Sequence, residues 1–199
     1  SLWRTWSAPA RVSIESDINE FAALTTLADG RVLAVWLDAR VKKVMGAMPD
    51  HDKIHPGMKL TQQLYSRIVA PAEAANPDTP DTLIEYSVCD CCHTSLAAFP
   101  DGTALLVYRG RSEDEARDIR VTRFRCNAWD EPRTLNNDDW RIAGCPVNGP
   151  QLVSDGPRAG VAWFTAADHD PRIVASFSPD AGARFLMPLT LRAPKPVGR

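Results

Sequence analysis

The densest group of reactive side chains in this sequence is Cys89-Asp-Cys-Cys-His93, with a fourth cysteine, Cys145, some fifty residues on in Gly-Cys-Pro-Val-Asn-Gly-Pro. Three chemistries fit such a set. A disulfide could brace two parts of the fold, which implies an oxidising compartment. Thiolates of Cys89, Cys91, Cys92 and Cys145 together with His93 could hold a soft metal. The run Cys-x-Cys-Cys lacks the Cys-x-x-Cys pairing of common zinc sites but could suit copper(I), so copper or zinc are the cofactor candidates. Free or catalytic thiols are the third option. If the run is extended, Cys89 and Cys91 point one way and Cys92 the other. Like-facing Cα atoms then lie ~6.6 Å apart, near the upper limit for a disulfide, so partners should be sought elsewhere in the chain. Cys126 stands apart as a solitary surface thiol.

A second reactive group is the run Arg109-Gly-Arg-Ser-Glu-Asp-Glu-Ala-Arg-Asp118. Arg109, Arg111 and Arg117, with Arg40 upstream, could clamp a carboxylate. Asn148 could add a hydrogen bond to the same ligand, and Asp114 or Asp118 could serve as an acid. The plain alternative is a solvated hairpin loop of self-paired charges. The insertion from Val41 to Lys59 carries Met45, Met48, His51, His55 and Met58. It reads as a flexible lid rather than a metal site, and His169 reads as a solvated loop residue.

The elements that position these groups come from an internal repeat. Asp29-Gly-Arg-Val-Leu-Ala-Val-Trp36, Asp101-Gly-Thr-Ala-Leu-Leu-Val-Tyr108 and Asp155-Gly-Pro-Arg-Ala-Gly-Val-Ala-Trp163 are one pattern: an Asp-Gly turn, then an apolar strand ending in an aromatic. An aromatic-x-x-Pro pattern interleaves with it at Trp6, Trp129 and Phe185. Strands such as Ile119 to Phe124 and Ile173 to Phe177 show period-2 alternation or β-branched enrichment. Each unit therefore holds four strands, and the units repeat as the blades of a β-propeller do; a β-sandwich is the weaker alternative, because sandwiches rarely repeat turn motifs in phase. The expected fold is all-β and the chain, 1–199, a single partial propeller. Its blades lie near 18–86, 91–136 and 145–192, residues 1–12 supply the last strand of a preceding blade, and 69–86 is irregular. Cys91 and Cys145 each lie ten residues before an Asp-Gly turn, at equivalent starts of innermost strands, which makes Cys145 the obvious partner for the cluster.

Ser178-Pro-Asp180-Ala-Gly182-Ala-Arg-Phe185 fits the pattern Ser-x-Asp-x-Gly-x-x-aromatic. It resembles the Asp box of the sialidase-like (neuraminidase, BNR-repeat) propellers, a structural turn. From Cys89 to about Phe185 the chain resembles an uncharacterised bacterial subfamily carrying Cys-Asp-Cys-Cys and Gly-Cys-Pro-Val-Asn-Gly-Pro. That resemblance implies a ring of six blades, of which about three are present. It also implies a site on the face opposite the Asp boxes and an exo-glycosidase or glycan-binding role toward an anionic sugar. The sialidase arginine triad and tyrosine nucleophile match no motif here, and Tyr108 aligns with Trp36 and Trp163 as a packing aromatic. The alternative is a non-catalytic propeller whose Cys-rich face binds a metal or a protein.

Composition narrows the partners. With 44% hydrophobic and 24% charged residues and a net charge of -2, the profile is globular and not that of a nucleic-acid binder. No apolar run approaches the ~20 residues of a membrane span. A glycan or small anionic ligand is the expected partner, with missing blades or another copy of the chain closing the ring. The expected location is periplasmic or secreted, with a signal peptide lost from the chain start.

Overall fold

The computed structural model describes residues 8–47, 61–70 and 79–191. Among these described residues, thirteen strands build three antiparallel sheets in sequence order. The first sheet is β1 (Asn19–Thr26), β2 (Val32–Asp38), β3 (Gln62–Val69) and β4 (Thr82–Val88). The second is β5 (Ser95–Ala98), β6 (Ala104–Arg109), β7 (Ile119–Arg125), the two-residue β8 (Ala128–Trp129) and β9 (Arg133–Asn136). The third is β10 (Gln151–Asp155), β11 (Arg158–Thr165), β12 (Arg172–Ser178) and β13 (Leu189–Leu191). Innermost strands β1, β5 and β10 are neighbours across the sheets. The chain is thus a three-blade arc of a β-propeller.

Burial explains why alternation is clear in some strands and hidden in others. β11 alternates without a break, with Ala159, Val161, Trp163 and Thr165 turned toward the second blade. The middle blade is covered on both sides, so every residue of β6 is buried. Ala104, Leu106 and Tyr108 pack with Leu33, Val35, Leu37 and Val88 of the first blade, while Leu105 and Val107 pack with Val161 and Trp163 of the third. Each such aliphatic side chain contributes roughly 1.5–3 kcal/mol by leaving water. β2 is covered as well, because the segment 8–18 lies across the outer side of the first blade. There Val12 packs on Trp36 and Tyr65, and Ser13 donates to Asp81.

Of the strand expected over 1–12, residues 1–7 lie outside the described residues; residues 8–12 contain no strand, and Arg11 bonds the Ser13 and Ser16 carbonyls and Asp17. The stretch 69–86 is not wholly irregular, since β4 occupies Thr82–Val88 and pairs with β3. The insertion after β2 opens as a seven-residue helix, α1 (Arg40–Gly46), whose first amide donates to Asp38 Oδ1. Met45 lies on it, while Met48, His51, His55 and Met58 fall outside the described residues. Among the described residues no helix is long and apolar enough to cross a membrane.

The β12–β13 loop shows how a local sequence fixes a turn. Asp180 Oδ1 accepts the Arg184 amide at 2.8 Å, Ser178 Oγ accepts the Gly182 amide at 2.9 Å, and Phe185 packs against the core between the second and third blades. Gly182 has φ +80, and a Cβ there would stand 2.6 Å from Leu105, so glycine is needed on both counts. The Arg184 amide and side chain hold the Asp180 carboxyl down, to about 2.

Candidate functional site

Antiparallel succession puts the three Asp-Gly turns and the Ser178–Phe185 loop at one end of the blades. The segments 39–47, 89–94, 110–118, 137–150 and 166–171 fall at the other. Most candidate residues lie at that second end, where the structure separates them into three groups.

The first group is an ion network on the outer side of the first blade. Arg40 bonds Asp38 and Asp81 at 2.7 Å each and Glu15 at 2.6 Å, with its guanidinium 3.9 Å over the Tyr65 ring. Asp81 also bonds the buried Arg67 at 2.8 Å. Burial opposes the Arg40 charge, but its bonds to Asp38 and Asp81 overcome that and raise its pKa further. Burial likewise opposes the Asp38 charge and is outweighed by bonds from Arg40 and Trp36, so that carboxyl is lowered. Arg40 is consumed by these carboxylates and stands apart from the other candidate arginines.

The second group surrounds the cysteines. Cys91 and Cys145 form a disulfide with Cα atoms 6.2 Å apart, linking the segments that lead into β5 and β10. Cys89 and Cys92 are free and buried, with Sγ atoms 3.2 Å apart, and Cys89 Sγ lies 3.8 Å from Cys91 Sγ. The bond from Cys92 holds the Cys89 thiol down, to about 6. Burial opposes this, while the Arg117 and Arg109 charges assist. The same bond and burial push Cys92 up. Arg109 is fully buried and no clamp: it donates to the carbonyls of Asn148 (2.9 Å), Arg117 (2.6 Å) and Phe164 (2.7 Å), and sits 5.1 Å from the Trp140 ring. Burial lowers its pKa, with the thiols opposing. Arg117 is buried on Glu115. Asn148 turns inward, its side-chain amide donating to the Pro146 carbonyl. His93 pairs with Gln151 at 2.6 Å rather than with the sulfurs. Gly149 packs so closely on His93 that a Cβ would meet its carbonyl oxygen at 2.1 Å.

The Sγ atoms of Cys89, Cys91 and Cys92 lie within 4.8 Å of one another. With Cys91 in a disulfide, two thiols remain, short of the four ligands of a structural zinc site. Cys89 and Cys92 are themselves a Cys-x-x-Cys pair, with Asp90 and Cys91 between them.

The third group lines a pocket of about 170 Å³ between the first and second blades, formed by Glu85, Ser87, Gly110, Arg111, Ser112, Ala116, Asp118, Arg120 and Thr134. Asp118 is half-buried; burial raises its carboxyl, Asp138 and Asp139 add to this, and the Asp139 amide at 2.9 Å opposes it. Glu85 accepts from the Tyr108 hydroxyl at 3.1 Å and pairs with Arg120 at 3.1 Å. Arg111 is held by Glu115 at 3.0 Å and Asp90 at 3.6 Å. Asp114 is exposed at the loop tip and held low by Ser112 and Arg141, which suits it poorly as a proton donor. Tyr108 is buried, and burial raises its hydroxyl. Glu85, Ser87 and Thr134 were missed. Glu85 lay in the stretch read as irregular, and only the alternation of β4 could have flagged it.

No protein-family model and no curated protein matches this chain. Among solved structures it is similar to an α-L-arabinofuranosidase from Fusarium graminearum bound to an iminosugar inhibitor (12% identity, TM-score 0.48, 91% of this chain and 52% of that one). It is similar to the GH93 α-L-arabinofuranosidase of the same fungus with arabinobiose (12%, 0.45, 86% and 48%). It is also similar to a xylan β-1,4-xylosidase from Bacillus halodurans C-125 (13%, 0.43, 87% and 30%). The chain spans about half the length of the arabinofuranosidases it matches.

Proposed function

We propose that this propeller arc is a sugar-binding module with glycosidase chemistry, and that its site is the pocket between the first and second blades. One observation carries the reading: Asp118, a half-buried carboxyl with a raised pKa, and Glu85, a carboxylate held by Arg120 and Tyr108, line the same pocket. Two carboxyl groups in unlike environments are what general acid catalysis at a glycosidic oxygen needs. Asp118 is the proton donor in this reading, and Glu85, paired with Arg120, is the second carboxyl.

The pocket is smaller than the ~300–1,000 Å³ of drug-sized sites, so it suits one sugar ring. Its arginines are already paired with Glu85, Glu115 and Asp90, which favours a neutral sugar over a sialic acid. The test is a panel of nitrophenyl arabinofuranoside, xyloside, glucoside and sialoside, with binding followed by ligand-observed NMR. Expected is binding or turnover of a neutral glycoside, with turnover lost in Asp118→Asn and falling as pH rises through the Asp118 value. No binding of any neutral sugar, or a response to the sialoside alone, overturns the proposal.

A further inference from the structure

Two buried thiols stand directly behind a disulfide that faces solvent. Cys145 is exposed and Cys91 half-buried, so the bond is reachable from outside, while Cys89 and Cys92 lie on its protein side. The three sulfurs on the β4–β5 connection form a short chain, Cys92 to Cys89 at 3.2 Å and Cys89 to Cys91 at 3.8 Å. Thiol–disulfide exchange requires a thiolate within reach of a disulfide sulfur and a leaving thiol that can depart. Cys89 Sγ stands 3.8 Å from Cys91 Sγ, and Cys145, the sulfur that would leave, is exposed to solvent.

We propose that Cys89 and Cys92 are an exchange dithiol that takes over the Cys91–Cys145 disulfide, moving the cross-link from between two blade connections into the Cys89–Cys92 turn. In the first step Cys89 sulfur, as thiolate, attacks Cys91 Sγ. The Cys89–Cys91 bond forms, the Cys91–Cys145 bond breaks, and Cys145 leaves as a thiolate that takes up the proton Cys89 released to solvent. In the second step Cys92 gives up its proton and attacks Cys89 Sγ; Cys89–Cys92 forms, Cys89–Cys91 breaks, and Cys91 leaves and is protonated. The Cys89/Cys92 pair is oxidised by two electrons and the Cys91/Cys145 pair reduced by two, so no outside oxidant is needed.

The surroundings support the first step. Buried Arg109 and Arg117 both favour the Cys89 anion, and Arg117 Nε and Nη1 are buried without a hydrogen-bond partner among the described residues. The exchange also has a structural consequence. It releases the Cys145 segment, which supplies the Asn148 carbonyl to Arg109 and leads from Trp140, whose own carbonyl accepts the Arg117 amide. The device is therefore a thiol–disulfide exchange latch on the loops of this end of the arc.

The test is native labelling of the purified chain with N-ethylmaleimide in the absence of reductant, followed by non-reducing peptide mapping; exposed Cys126 reports labelling in every sample. Expected in the wild type is progressive labelling of Cys145 and Cys91 with Cys89 and Cys92 linked to each other. Cys89→Ala should slow Cys145 labelling at least about tenfold. Cys92→Ala should stop after the first step, with Cys89 linked to Cys91 and Cys145 labelled, so a failure of one variant to fold leaves the other decisive. Equal Cys145 labelling in wild type and Cys89→Ala overturns the proposal. So does labelling of Cys89 and Cys92 with Cys91–Cys145 intact, or stoichiometric zinc or copper whose chelation is needed before either thiol reacts.

Discussion

Removing the Cys91–Cys145 disulfide perturbs the unfolded chain most, and the size of the effect follows from the span it closes. The two cysteines are 54 positions apart. In the chain-entropy treatment, a loop of that length withholds about 4 kcal/mol of conformational freedom from the unfolded state at 25 °C. A bond across the Cys89–Cys92 turn withholds only about 2 kcal/mol. The double variant Cys91→Ser/Cys145→Ser should therefore lose about 4 kcal/mol, while wild-type protein driven into the Cys89–Cys92 form should lose about half as much. Urea unfolding followed by tryptophan fluorescence reads this directly, because Trp36, Trp140 and Trp163 are buried. With a slope of roughly 2 kcal/mol/M, the double variant's midpoint should fall by about 2 M. A double variant within about 1 kcal/mol of the wild type refutes the reasoning, since either the bond is not formed or it does not restrain the unfolded chain.

Gly149→Ala places a Cβ 2.1 Å from the His93 carbonyl oxygen, a backbone clash expected to cost about 3 kcal/mol or more and to lower the yield of the Cys91–Cys145 bond, measured by urea midpoint and thiol counting. Arg109→Lys keeps the charge but cannot span the three carbonyls, and a loss of roughly 2–4 kcal/mol in urea unfolding is expected. Asp118 has a folded pKa above its ordinary 3.8, so the stability it gives is full below 3.8 and is lost as pH rises through the folded value. Asp118→Asn should accordingly raise the melting temperature at pH 7 and leave it unchanged near pH 3.5, by no more than about 1 kcal/mol because the group is half-exposed.

The blades were legible because their signals are local. An Asp-Gly turn followed by an apolar strand specifies a hairpin without knowledge of the rest of the chain, and β6, β11 and β12 fall close to where that pattern puts them. The first blade was harder. Its third and fourth strands lie beyond a long insertion, and β4 pairs with β3 through two register irregularities that blur its alternation. The four-strand count of the second blade held only coarsely, since its last strand is divided between β8 and β9. In the segment expected as a strand before the first blade, only residues 8–12 are described; they form no strand, and Arg11 bonds the Ser13 and Ser16 carbonyls instead.

The arginines could not be read from sequence, because a guanidinium's role is set by acceptors far along the chain. Arg109 sits in a dense run of charges, yet its partners are carbonyls at 117, 148 and 164, contributed by three separate segments, and it carries no ion pair among the described residues. A buried cation without a carboxylate is costly unless carbonyl dipoles and a polarisable neighbour replace water. Three carbonyls, the Trp140 ring and the Cys89 and Cys92 sulfurs supply that replacement. The same requirement ties the β4–β5, β6–β7 and β9–β10 connections and the end of β11 to one group. A change in the charge or bonding of the cysteines is therefore felt by every loop that Arg109 holds.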